Sequence, residues 1–110
     1  MSRPVAFAPT EVVRFVLARL DDEEAVIRRS ARSLRGQDDS RVADLEHRRA
    51  DCLARRQVTG AVQQLLVLRD LPREKPVREH ATRILLSLAS PYADHKAYRA
   101  EWNAQYATAS

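Results

Sequence analysis

The chain has 110 residues, of which 45% are hydrophobic, 31% are charged and only two are glycine. This length and composition indicate one folded, helix-rich domain over residues 1–110, and they argue against two domains, a sheet-based fold or a disordered chain. The formal net charge is +4 and comes almost entirely from arginine, which is compatible with weak attraction to nucleic acid.

Cysteine content and hydropathy indicate the compartment. Cys52 is the only cysteine, so an intrachain disulfide and a multi-cysteine zinc site are both excluded. The N-terminal residues lack the continuous apolar stretch of a signal peptide, and no later apolar run approaches the length of a transmembrane helix. We therefore expect a cytoplasmic protein with no membrane partner.

The first predicted helix begins at Thr10, whose hydroxyl can cap an amide of the first turn, after a flexible arm of residues 1–9. It ends near Gly36, a residue suited to the position after a helix C terminus. Between them, apolar residues recur at helical spacing with one position skipped, and they form one face: Val13, Leu17, Leu20, Ile27, Ala31 and Leu34.

The second predicted helix begins close to Ser40 and extends to about Leu71. Gly60 lies in its interior and costs about 1 kcal/mol relative to alanine, so we expect a bend or local fraying there. The helix has an apolar face of its own: Val42, Leu45, Cys52, Leu53, Val58, Val62, Leu65 and Leu66.

Prolines mark the remaining boundaries. Pro72 and Pro76 predict a loop before a third helix that starts near Pro76, and Pro91 ends that helix at about Ala89 or Ser90. A short fourth helix is then expected, with Asp94 as its N-cap. Three aromatic residues recur every four positions on one face of this helix: Tyr98, Trp102 and Tyr106. Residues 103–110 should fray.

These elements predict an all-α fold. The two long helices, joined by a short connection, should pack as an antiparallel hairpin. The third helix should pack across the apolar faces of the hairpin, and the short aromatic helix should close the C-terminal end.

The stretch SPYADHKAYRAEW, residues 90–102, raises the question of a reactive site. We interpret it as a structural clip, a term used below for five residues whose aromatic members fold back onto the hairpin: Pro91, Tyr92, Asp94, Tyr98 and Trp102. The alternative is a small metal-dependent hydrolase centred on the adjacent residues Asp94 and His95.

No other constellation completes a catalytic or metal site. His47 and Asp51 are four residues apart on a helix, and His80 is a further candidate, but no spacing supplies the three or four ligands that a transition metal needs. Cys52 lies within an apolar helical pattern and is best interpreted as buried and inert. We therefore predict no catalytic residue, no metal ligand and no cofactor.

Charged residues suggest two further features. Glu24 occupies the skipped apolar position of the first helix, and Arg49 lies at the equivalent position of the second, so an interhelical ion pair is predicted, with a solvent-exposed rim as the competing interpretation. Four arginines could follow a phosphate backbone: Arg48, Arg49, Arg55 and Arg56. Acidic neighbours favour the alternative, an ordinary solvated face.

Three segments carry a resemblance to a known family. FVLARLDDEE at residues 15–24, RVADLEHRRA at residues 41–50 and TRILLSLASPYADHKAYRAEW at residues 82–102 together resemble a small actinobacterial family of unknown function. The most specific part is a leucine-rich helix that runs into a proline-tyrosine-alanine-aspartate-histidine motif, followed by a tyrosine, an arginine and a tryptophan. The resemblance implies kinship and fold, and it brings no activity, substrate or catalytic residue with it.

Three functional hypotheses follow. The first is a non-enzymatic interaction module that presents a helix face to a protein partner or to a second copy of itself. The second is an arginine-rich accessory protein that binds nucleic acid. The third is the metal-dependent hydrolase at Asp94 and His95.

Overall fold

The computed structural model describes residues 8–33, 39–68 and 75–103. Within these residues the chain forms helices and turns and no strand, so the all-α class is confirmed. The elements in chain order are α1 (Pro9–Ser33), α2 (Asp39–Gln63) with a π-helical extension (Gln64–Leu68), α3 (Lys75–Ala89) and a 3₁₀ turn (Ser90–Tyr92).

α1 begins one residue before the predicted N-cap. The first helical residue is Pro9, and the amide of Glu11 donates to the carbonyl of Ala8 at 3.1 Å. Proline suits the first helical position because its ring presets the backbone angle and it has no amide to satisfy. Thr10 therefore lies inside the helix and is not its cap, and the predicted end at Gly36 lies outside the described residues.

α2 is α-helical without interruption through Gly60, so the local fraying expected there is not observed, and a bend stays a prediction. A methyl group added at this glycine would meet no atom within 4 Å, so no close packing requires glycine here. The α-helical pattern changes at Gln64 instead, where five residues form a π-helical segment. The predicted end at Leu71 and the loop at Pro72 lie outside the described residues.

α1 and α2 pack side by side as the predicted hairpin, joined through residues 34–38. α3 then runs back along it: Val77 and Ile84 lie beside Val62, and Tyr92, just after α3, reaches Arg55 of α2. The apolar core lies between the three helices and includes one residue of the C-terminal segment: Val12, Val13, Phe15, Val16, Leu20, Ile27, Leu45, Cys52, Val62, Leu66, Ala81, Leu85, Leu86, Ala89 and Trp102.

The C-terminal segment differs from the predicted fourth helix. Residues 93–100 form successive turns, in which the amide of His95 donates to the carbonyl of Tyr92 and the amide of Tyr98 to that of His95, both at 2.9 Å. In the described part of this segment only residues 101–103 are α-helical. Asp94 lies seven residues before them, so its predicted role as an N-cap is wrong, and Tyr106 lies outside the described residues.

Candidate functional site

An aromatic cluster joins the C-terminal segment to α1. The ring of Phe15 meets four other rings edge to face, with centroid distances of 6.1 Å to Tyr92, 5.8 Å to His95, 5.7 Å to Tyr98 and 5.1 Å to Trp102. Such contacts stabilise aromatic pairs beyond the burial of their area. Three aromatic members of the structural clip therefore lie together on the hairpin.

Periodicity alone did not indicate Phe15, because this residue lies beside the predicted apolar stripe of α1 and not in it. The available signal was composition, since Phe15 is the only aromatic residue between Pro9 and Ser33. Four aromatic rings follow α3 and are stabilised by packing on an apolar surface. An aromatic residue of the hairpin is a favourable packing partner for them.

His95 is held by two donors at one ring nitrogen. Its Nδ1 atom accepts from Nη1 of Arg19 and from the amide of Ala97, each at 3.0 Å, so the hydrogen bonds assign the ring proton to Nε2. The guanidinium of Arg19 also lies 5.2 Å from the centroid of the Phe15 ring. Because the Nδ1 lone pair is engaged, this arrangement positions the turn and offers no free base at Nδ1.

Glu23 organises a polar network beside the aromatic cluster. The hydroxyl of Tyr92 donates to Oε1 of Glu23 at 2.6 Å and accepts from Nη1 of Arg55 at 2.9 Å. The thiol of Cys52 donates to Oε2 of the same carboxylate at 3.3 Å. A single carboxylate therefore links α1, α2 and the C-terminal segment.

The tyrosine and the cysteine of this network are not activated for chemistry. Burial, followed by the hydrogen bond to Glu23, raises the pKa of Tyr92 to about 12 and that of Cys52 to about 11. Both groups therefore stay protonated at neutral pH, and the Cys52 thiol is not activated as a nucleophile. Cys52 is buried, in agreement with the interpretation from the sequence.

The predicted ion pair is formed by a different arginine. Oε1 of Glu24 accepts from Nε of Arg56 at 2.6 Å, and Asp21 contacts the same guanidinium, so the predicted pairing of Glu24 with Arg49 is wrong. Arg49 and Arg56 are seven residues apart and thus share one face of α2, but they lie about 10 Å apart along its axis. The hydrogen bond from Arg56 holds the pKa of the Glu24 carboxyl below its usual value.

The four arginines proposed as a phosphate-binding stripe divide into two pairs. Arg55 and Arg56 lie on the two flanks of the contact between α1 and α2, where each is bound to acidic residues of α1. Arg48 and Arg49 are exposed and form no hydrogen bond or ion pair within the described residues. Only half of the stripe is therefore available to a ligand.

The part of the hairpin next to the connection has a thin core. We call residues 24–33 and 40–54 the distal half. Within the distal half only Ile27, Leu45 and Cys52 are buried. Tyr92 contacts Glu23 and Arg55 at the border of this half, and its ring contacts Phe15, which lies outside the distal half.

Large apolar side chains are exposed on the distal half. Leu53 is 56% exposed and Val42 is 38% exposed, and both lie on the face of α2 that also carries Arg49. A groove of about 330 Å³, called the distal groove below, separates this face from α1 and is lined by Glu24, Ile27, Arg28, Arg49 and Leu53.

The remaining candidates are dispersed. Asp94 and Pro91 are exposed, as are His47, Asp51 and His80. Among the described residues, no group of three or more histidine, cysteine, aspartate or glutamate side chains could hold a metal ion. A second groove, of about 320 Å³, lies between α2 and α3 and is lined mainly by apolar residues: Val62, Leu65, Pro76, Val77, His80, Ala81 and Ile84.

Comparison with protein families identifies the chain. The model of a family of unknown function, DUF6221, matches residues 9–104. The chain belongs to DUF6221. The match spans all three helices and the aromatic cluster of this DUF6221 protein, so the kinship expected from the sequence is confirmed, whereas an actinobacterial origin and a family motif at the C terminus stay predictions.

No curated protein and no solved structure matches this DUF6221 chain. In the described part of the chain, none of the helices combines the length and apolar character that crossing a membrane requires. The cytoplasmic location stays a prediction.

Proposed function

We propose that this DUF6221 protein is a non-enzymatic interaction module that presents the distal half of its hairpin to a protein partner. The observation that carries the proposal is the exposure of Leu53 and Val42 on a part of the hairpin whose own buried core consists of Ile27, Leu45 and Cys52. Burying exposed apolar area of this kind stabilises a complex.

The rest of the molecule is suited to supporting such a surface. Arg55 and Arg56 bind acidic residues on both flanks of α1. The hydroxyl of Tyr92 donates a hydrogen bond to Glu23, which links the C-terminal segment to α1. The aromatic cluster adds a buried contact at Phe15. These interactions hold the two long helices in one register, so the distal half is presented as a preformed surface, which reduces the entropic cost of binding.

Nucleic acid is the second candidate ligand, since Arg48 and Arg49 are exposed and unpaired within the described residues. The positive charge of the distal half favours phosphate, but three exposed acidic residues on the same helix oppose it: Asp44, Glu46 and Asp51. The hydrolase hypothesis has weaker support, because Asp94 is exposed and Nδ1 of His95 is engaged by two donors.

A comparative pull-down tests the proposal. Tagged wild-type protein, Leu53→Asn and Val58→Asn are incubated with a native-like lysate, and proteins that bind the wild type are quantified on the variants. Val58 is a matched control, because it is exposed to 42%, lies on α2 and does not line the distal groove. We expect Leu53→Asn to lose the partner and Val58→Asn to retain it.

Two results would contradict the proposal. Retention of every bound protein by Leu53→Asn would show that the distal half is not the binding surface. Binding to a random nucleic-acid duplex that weakens with salt, and that depends on Arg48 and Arg49 but not on Leu53, would favour the second candidate.

A further inference from the structure

We propose that the distal groove binds an amphipathic helix of the partner, in which a large apolar anchor is flanked by aspartate or glutamate. This inference rests on the proposed function and adds the chemistry of the partner.

The groove offers an apolar floor and wall. Ile27 is almost completely buried at its base, and Leu53 leaves more than half of its surface exposed at its side. The volume of about 330 Å³ is large enough for one or two bulky apolar side chains. Helices commonly bind in grooves between two other helices through anchors of this kind, spaced three or four residues apart.

Two unpaired arginines flank this apolar area from opposite sides. Arg28 projects from α1 and Arg49 from α2, and neither forms a hydrogen bond or ion pair within the described residues. The third charged residue of the groove, Glu24, accepts a hydrogen bond from Arg56, whose guanidinium also contacts Asp21. Carboxylates on both sides of an apolar anchor would therefore meet a free guanidinium on each side of the groove.

The surrounding surface has the same sign. Three exposed acidic residues of the distal half are outnumbered by six exposed arginines: Arg28, Arg29, Arg32, Arg41, Arg48 and Arg49. A second copy of the chain would bring two such positive surfaces together, which disfavours self-association through this groove. An acidic partner would be attracted by the same charges.

The surface is less suited to nucleic acid. The distal half contains no phenylalanine, tyrosine or tryptophan on which a base could stack. Leu53 would be left against phosphate or solvent, whereas an apolar anchor of a partner helix would cover it. The apolar and basic parts of the groove are therefore explained together by an acidic amphipathic helix.

A peptide selection with the full chain provides the test. The library consists of displayed amphipathic helices that carry leucine anchors, with the flanking positions randomised among glutamate, glutamine and lysine. We expect selection to enrich glutamate. Two synthetic peptides with the same anchors and either glutamate or lysine flanks are then compared, and the glutamate peptide should have a Kd at least tenfold lower, on the order expected for two close charge pairs.

Variants connect the preference to the groove. The double substitution Arg28→Glu with Arg49→Glu should reverse the preference, so that the lysine peptide binds more tightly. The matched double substitution Arg29→Glu with Arg48→Glu changes net charge equally outside the groove, and it should weaken the preference without reversing it. Leu53→Asn should abolish binding of both peptides, and each folded variant is verified by far-UV circular dichroism.

The outcomes separate this inference from the proposed function. Peptides that depend on Leu53 but show no preference for glutamate would leave the proposed function standing and overturn the acidic partner. Failure to select any peptide that depends on Leu53 would also overturn the inference, and together with a Leu53-independent pull-down it would overturn both. Self-association that disappears in Leu53→Asn would identify a second copy as the occupant, and a nucleic-acid duplex that competes with the glutamate peptide would identify phosphate as the ligand.

Discussion

Truncation of Phe15 should destabilise the whole domain, because this side chain joins the C-terminal segment to α1. Phe15 is 6% exposed and contacts four rings. Replacing a buried phenylalanine by alanine lowers the free energy of unfolding by about 4 kcal/mol, so we expect this value for Phe15→Ala. Phe15→Leu retains most of the apolar volume and loses the edge-to-face contacts, so its cost should be about 1.5 kcal/mol.

Urea denaturation with two probes measures this effect. With a urea dependence of about 1.5 kcal/mol per molar, the transition midpoint should fall by about 1 M in Phe15→Leu and by more than about 2 M in Phe15→Ala. Trp102 is the only tryptophan, so its fluorescence reports on the C-terminal segment, while far-UV circular dichroism reports on the helices. The exposed Val26 serves as a control, and Val26→Ala should change stability by less than about 0.5 kcal/mol.

Coincident shifts of both probes would support the structural clip. The opposite result would exclude the structural clip: Phe15→Ala would alter the Trp102 signal while the circular dichroism transition kept the midpoint of the wild type. The segment would then be an appendage that the hairpin does not need, and its aromatic contacts would have to serve a purpose other than stability.

Three further predictions concern titratable groups. Because the pKa of Cys52 is raised in the folded state to about 11, the folded protein holds a proton that the unfolded chain releases near pH 9, so stability should fall by about 2 kcal/mol between pH 9 and pH 11. Cys52→Ala should remove this part of the alkaline loss in denaturant melts, and an unchanged slope would contradict the assignment. The pKa of Glu24 is lowered in the folded state, so its contribution is present above the usual value of 4.5 and is lost as the pH falls through the lowered value. Glu24→Gln should therefore flatten the acid side of the stability profile whereas Arg49→Gln should not, and the opposite result would restore the pairing expected from the sequence. Asp94→Ala should change the free energy of unfolding by less than about 0.5 kcal/mol, since Asp94 caps no helix, and a loss near 1 kcal/mol in the same melts would indicate a cap after all.

Local signals in the sequence predicted the starts of α1, α2 and α3 and the end of α3 to within about one residue. The starts of α1 and α3 were each expected one residue late, at Thr10 and Pro76, and the end of α3 was expected at Ala89 or Ser90, where Pro91 follows. Proline restrictions and the 3.6-residue period act over a few residues, so they can be evaluated without knowledge of the rest of the fold. The all-α class and the antiparallel hairpin follow from the same local rules.

Those local rules did not predict the conformation of the C-terminal segment. Asp94 is of a residue type that commonly caps helices, but the chain continues in turns here. Nδ1 of His95 accepts hydrogen bonds from the amide of Ala97 and from the side chain of Arg19, and these bonds stabilise the turn. Arg19 is 76 residues away in sequence, so its contribution to that turn cannot be evaluated from a local window. The position of Phe15 beneath the four rings is likewise a consequence of packing between distant segments.

The sequence alone was enough to place Val13, Leu20 and Ile27 in the core and Glu24 beside the contact between α1 and α2. Half of the apolar face predicted for α2 is instead exposed: Val42, Leu53, Val58 and Leu65. The axial register depends on the tertiary structure: Glu24 pairs with Arg56, and Arg49 lies at the distal groove with no ion pair to any described residue. The period of a helix specifies the direction of a side chain around the axis, whereas Arg49 and Arg56 have nearly the same direction and differ by about 10 Å along it. The register of α1 against α2 is set by how the whole core packs, and it determines which of the two arginines reaches Glu24.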